Sequence, residues 1–88
     1  MSIIETGERL LAESLLDLIC NPRSKIIVKG FNKKSGNQSI IFKVKESDRE
    51  PLYFNFRIDF FNRITDLIIR HEDNSIRTHY KLRQEGGA

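Results

Sequence analysis

Ile58-Asp59-Phe60-Phe61-Asn62-Arg63-Ile64-Thr65-Asp66-Leu67-Ile68-Ile69-Arg70 is the stretch on which the fold turns, because it reads in two ways. Wound as a helix, it gathers Ile58, Phe60, Phe61, Ile64, Leu67, Ile68 and Ile69 on one side and Asp59, Asn62, Arg63, Asp66 and Arg70 on the other. Broken at Asn62-Arg63, it becomes the end of one strand, a turn and the start of the next. The strand reading is preferred, since Leu67-Ile68-Ile69 favours β structure in combination; a second helix within residues 58–70 is the alternative. Phe60 and Phe61 then occupy a loop tip, where they are expected to fold back under the sheet edge.

Outward from this stretch, strand signals continue in both directions. On the C-terminal side, Glu72-Asp73-Asn74 is a compact turn. Beyond it, Arg77, His79, Lys81 and Arg83 alternate with Ile76, Thr78, Tyr80 and Leu82, the period of a half-buried strand. On the N-terminal side, Leu52, Phe54, Phe56 and Ile58 share an inner face, opposite Tyr53, Asn55, Arg57 and Asp59. Before the polar break at residues 47–51, Ile40, Phe42 and Val44 face inward and Ile41, Lys43 and Lys45 outward. The turn at Lys33 to Asn37 joins that strand to an earlier one, which is read with Ile26, Val28 and Gly30 inside and Lys25, Ile27, Lys29 and Phe31 outside.

The first twenty residues carry a helical period instead. Ser2-Ile3-Ile4-Glu5 fits a capping box, so a helix is expected to start there and to stop at Asn21-Pro22, because Pro22 lacks an N–H and disfavours the helical conformation at Asn21. Its apolar arc runs through Ile3, Ile4, Gly7, Leu10, Leu11, Ala12, Leu15, Leu18 and Ile19. So wide an arc implies a helix cradled by a curved sheet, with Gly7 admitting the sheet backbone closely.

The resulting expectation is a single α+β domain over residues 1–84, an N-terminal amphipathic helix packed on a curved antiparallel meander of four to five strands, with residues 85–88 as a tail. In shape this resembles the cystatin-like and nuclear-transport-factor-like domains. The resemblance is one of element order and carries no site residue with it.

Chemistry-bearing motifs are scarce. There is no phosphate-cradling glycine loop, no nucleophile elbow and no His-Glu-x-x-His. No metal site or cofactor is expected, and an enzyme is not favoured. A lone cysteine, Cys20, points to a reducing compartment, so a cytoplasmic location is expected. No stretch is long and apolar enough to span a bilayer, and no membrane partner is expected.

Charge is the strongest functional signal. Residues 1–20 carry four acids against Arg9, a net of −3, so the total of +3 leaves +6 on the strand region. The proposed outer face collects Lys29, Lys43, Lys45, Tyr53, Arg57, Arg77, His79, Lys81 and Arg83 as candidate contacts for a macromolecule. Ile27, Phe31, Ile41 and Tyr53 make the same face more apolar than a solvated one, so they are candidates for an oligomer interface. The leading expectation is a small binding or accessory module, a homodimer or the docking site of a protein partner. Two alternatives use the same strands. One is nucleic-acid binding, with the cations on phosphates and an aromatic ring stacked on bases. The other is a small ribonuclease or toxin with His71 or His79 as general acid or base.

Overall fold

The computed structural model describes residues 3–83; the proposed tail at 85–88 lies outside them. One helix, α1 (Glu8–Cys20), packs on one face of a six-stranded sheet formed by β1 (Ile3–Thr6), β2 (Ser24–Phe31), β3 (Gln38–Val44), β4 (Leu52–Ile58), β5 (Ile64–Arg70) and β6 (Ile76–Leu82). The strand order is β1-β6-β5-β4-β3-β2, and the sheet is open. β2 to β6 pair antiparallel in chain order, and the sheet has six strands where four to five were expected. The sixth, β1, runs parallel to β6 and makes the sheet mixed.

Residues 3–6 are therefore strand and not the first turn of the helix. Ile3 and Ile4 are β-branched and stiff, and they are captured by the free edge of β6, with Ile3 opposite His79 and Thr6 opposite Leu82. The Arg83 N–H extends this pairing by donating to the Thr6 carbonyl at 2.8 Å. Glu5 belongs to that ladder, so no capping box forms; Gly7 is the N-cap, with extended backbone and no side-chain cap. An added Cβ at Gly7 would meet nothing within 4 Å, so no close sheet contact requires glycine there.

Removing Ile3, Ile4 and Gly7 from the helix narrows its apolar arc. Leu11 and Leu18 are buried, Ala12 and Leu15 half-buried, whereas Leu10, Leu16 and Ile19 are exposed. The helix is docked on a stripe rather than cradled. It also carries the chain from one edge strand, β1, to the other, β2. Thirteen residues rise about 20 Å, close to the roughly 24 Å spanned by six strands. At its end the Asn21 N–H donates to the Leu18 carbonyl at 3.2 Å and the Ser24 hydroxyl donates to the Leu18 and Asn21 carbonyls, closing the helix before Pro22 turns the chain away.

The core lies between α1 and the sheet. Leu11, Leu18, Phe42, Phe56, Ile64, Leu67 and Ile69 are buried there, with Phe42 and Phe56 edge to face at 5.8 Å between ring centres. Tyr80, Leu82, Leu52, Phe54, Ile40 and Val44 pack around them, so the inward faces read for β3 and β4 are those observed, as are Tyr80 and Leu82 of β6; Ile76 departs, pairing beyond a register shift with Arg70.

Residues 58–70 form strand, turn and strand. The Asp59 carboxylate accepts the N–H groups of Phe61 and Arg63, both at 2.9 Å, and Asn62 adopts φ 62°. A side chain that caps its own turn competes with helix hydrogen bonding and here wins. Phe60 and Phe61 do not fold back: they are 69% and 71% exposed, packed edge to face on each other.

Candidate functional site

With α1 on one face, no helix among the described residues lies over the opposite face of the sheet. Register fixes what lies there. Ile41 is opposite Asn55, Asn55 opposite Ile68, and Ile68 opposite His79, forming one row across β3, β4, β5 and β6. Lys43 and Tyr53 form the next pair on one side of the row, Arg57 and Asp66 on the other. Ile68 is 3% exposed although no element among the described residues covers it, so the side chains of this face close over its middle.

A β-bulge in β2 alters its assigned faces. Ile26 pairs with Phe42, but Val28 and not Ile27 pairs with Ile41. The extra residue reverses the alternation beyond it. Val28 therefore joins Ile27 beside Ile41 on the open face, against the sequence reading. Lys29 pairs with Ile40 and Phe31 with Gln38, which turns both toward the helix side. Neither belongs with the open-face residues. Lys45 also departs: it follows the end of β3, its N–H bonded to the Arg23 carbonyl and its Nζ to the Arg49 carbonyl. Arg83 follows the end of β6. Lys43, Tyr53, Arg57, His79, Lys81 and Ile41 do share the face by register, and Ile27 joins them in the recess beside Ile41; Arg77 is left unpaired at an irregularity between β5 and β6.

The apolar part of the face is a shallow recess of about 240 Å³ between Ile27, Ile41, Tyr53 and Asn55, walled by Arg70 and His71. Ile27 and Val28 are 48% and 44% exposed. Lys43 Nζ stands 6.0 Å from the Tyr53 ring centre, the outer limit of a cation–π contact. Asn55 Oδ1 is buried without a hydrogen-bond partner among the described residues.

The polar part centres on Asp66. Its Oδ2 meets His79 Nε2 at 2.7 Å, and its Oδ1 accepts the Thr65 hydroxyl at 2.9 Å. A carboxylate so held orients the imidazole, with Nδ1 as the ring's other nitrogen. His71 is not part of this cluster. It begins the β5–β6 turn, where its N–H donates to the Ser75 carbonyl at 2.9 Å. The two histidines are thus separate, as their spacing around the turn implies.

Sequence reading passed over Asp66 and Asn55. The available signal was chemical: both are poor strand formers placed in mid-strand, where they need a reason to be. Among the described residues no three His, Cys, Asp or Glu side chains converge in a way that would hold a metal ion. No helix among the described residues is long and apolar enough to cross a membrane. No family model matches the chain, and no curated protein or solved structure matches it either.

Proposed function

We propose that this domain is a non-catalytic binding module whose macromolecular partner docks on the open face of the sheet. The observation that carries the reading is the bulge in β2. It sets Ile27 and Val28 together beside Ile41, so that an apolar patch continues to Tyr53 on the face without a helix. Exposed apolar clusters with a charged rim are typical of docking surfaces. Here the rim is Lys25, Lys43, Arg57 and Arg70, placed by their pairing partners.

The test compares the parent with an Ile27→Glu, Ile41→Glu variant in solution mass and in retention of a purified partner or of a tagged second copy. Retention by the parent and loss by the variant is expected. Equal retention by both, or none by either, rejects the reading.

A nucleic-acid partner is the second reading, favoured by the run Arg77, His79, Lys81 along β6 and by Tyr53 with Lys43 above it. Asp66 and Glu5 lie among those cations and weaken a phosphate track, which places this reading behind the first. A third, ribonuclease action, draws support from the Asp66–His79 contact alone.

A further inference from the structure

We propose that the partner is a second copy of this chain, bound head to tail: the outward face of α1 in one copy sits on the open sheet face of the next. The proposal rests on the open face being a docking surface and adds what occupies it.

Two complementary surfaces on the one chain carry the argument. The open face holds Lys25, Lys43, Arg57, Arg70 and Lys81 against Glu5 and Asp66, five cations to two acids, a net of +3. Helix α1 holds Glu8, Glu13 and Asp17 against Arg9, a net of −2, and Glu13 and Asp17 are exposed. Docking two open faces on each other would bring like charges together. Docking the helix on the open face pairs opposite charges, which sets orientation and excludes the symmetric alternative.

The apolar surfaces match in the same sense. Leu16 and Ile19, 58% and 59% exposed, are neighbours three residues apart on the helix with Glu13 next to Leu16, while Leu10, 46% exposed, lies on the other flank beside Asp17. Ile27 and Val28 are exposed to a similar extent on the sheet, beside Lys25 and Lys43. The sheet offers an apolar patch beside cations, and the helix offers acids flanked by apolar side chains. Helix on sheet is also how this domain builds its own core, so the second helix would complete a three-layer arrangement around the sheet. Because the two surfaces differ, the contact is heterologous. Each copy keeps one free surface of each kind, and assembly proceeds to a closed ring or an open chain.

The experiment uses two full-length variants with substitutions at solvent-facing sites. Leu16→Lys with Asp17→Lys alters the helix face only; Ile27→Glu with Lys43→Glu alters the sheet face only. Sedimentation equilibrium of the parent is expected to show concentration-dependent growth beyond a dimer, weakening as salt is raised. Each variant alone is expected to self-associate at least about tenfold more weakly. Mixed, they are expected to form a one-to-one pair that goes no further, because the intact sheet face of the first meets the intact helix face of the second. Circular dichroism confirms that each retains the parent's fold; Leu16→Ser and Ile27→Ser replace any charge variant that does not.

A helix variant that associates as the parent does overturns the inference while leaving the open face as a docking surface. A sheet variant that associates as the parent does overturns both. A parent monomeric up to about 1 mM overturns the inference and leaves a different protein as occupant. Two variants that each fail alone and also fail to pair when mixed overturn the heterologous geometry.

Discussion

His79 Nε2 lies 2.7 Å from Asp66 Oδ2, a diagonal contact between β6 and β5 on the face away from the helix, with both side chains less than one-fifth exposed. Asp66 sits opposite Lys81 and His79 opposite Ile68, so the sheet register alone makes the two meet. Removing His79 leaves a partly buried carboxylate with the Thr65 hydroxyl as its remaining partner. We expect His79→Ala to cost about 1–3 kcal/mol, and the His79→Ala, Asp66→Ala double variant to cost less than the sum of the single changes. Denaturant midpoints of the four proteins measure this; strict additivity would show that the pair is uncoupled.

Gly36 occupies φ 73°, and a Cβ built there would lie 2.5 Å from Cδ2 of Phe60. The β2–β3 and β4–β5 turns therefore touch at this glycine. Gly36→Ala is expected to lose about 1–2 kcal/mol from left-handed strain, with a further loss from displacing the Phe60 ring. Repeating the change in a Phe60→Ala background should leave only the strain. If thermal unfolding shows the same loss in both backgrounds, the two turns are not in contact through Phe60.

Asp59 is held below its ordinary carboxyl pKa of 3.8, first by the N–H of Arg63, then by the N–H of Phe61 and the charge of Arg63, with desolvation opposing them. A carboxylate whose folded pKa is lowered stabilises the fold above its unfolded value and loses that contribution as pH falls through the folded one. Asp59→Asn keeps the oxygen that accepts both N–H groups but removes the charge. The stability difference between parent and variant should be constant above about pH 5 and shrink below it. Urea unfolding across this range tests the sign; a difference that grows on acidification would contradict it.

The nucleic-acid reading makes its own demand. Lys81→Glu and Arg83→Glu should weaken binding to single-stranded RNA, and the parent's affinity should fall steeply with salt. Absence of binding at low salt rejects it. RNA cleavage that survives both His71→Ala and His79→Ala would exclude the histidines, and no cleavage by the parent removes that class.

Much of the architecture is legible in the chain because it depends on local alternation. The inward faces of β3 and β4 and of the second half of β6 follow from period two, since Ile40, Phe42 and Val44, or Tyr80 and Leu82, can reach the core only from one side of a pleat. The turn at 59–63 is legible too, because Asp59, Asn62 and Arg63 supply its hydrogen bonds locally. So is the helix stop, written in Asn21 and Pro22.

Two features were beyond local reading. Ile3 and Ile4 fit a helix arc as well as they fit a strand, and only the free edge of β6, distant in sequence, decided between them. The bulge between Ile26 and Val28 leaves no mark in a run of β-branched residues, because Ile27 and Val28 suit either face equally. The candidate site depends on the second of these: a single unpaired residue moved Lys29 and Phe31 off the open face and Val28 onto it.

By itself, then, the sequence determined a helix followed by antiparallel strands, the inward faces of β3 and β4, and a chain acidic at its start and basic after it. Tertiary structure alone decided the sixth strand, the order of the edges, the Asp66–His79 contact and the membership of the open face. Periodicity is a property of neighbours in the chain, whereas edge capture, bulge position and cross-strand diagonals are set by residues that meet only after the sheet has formed.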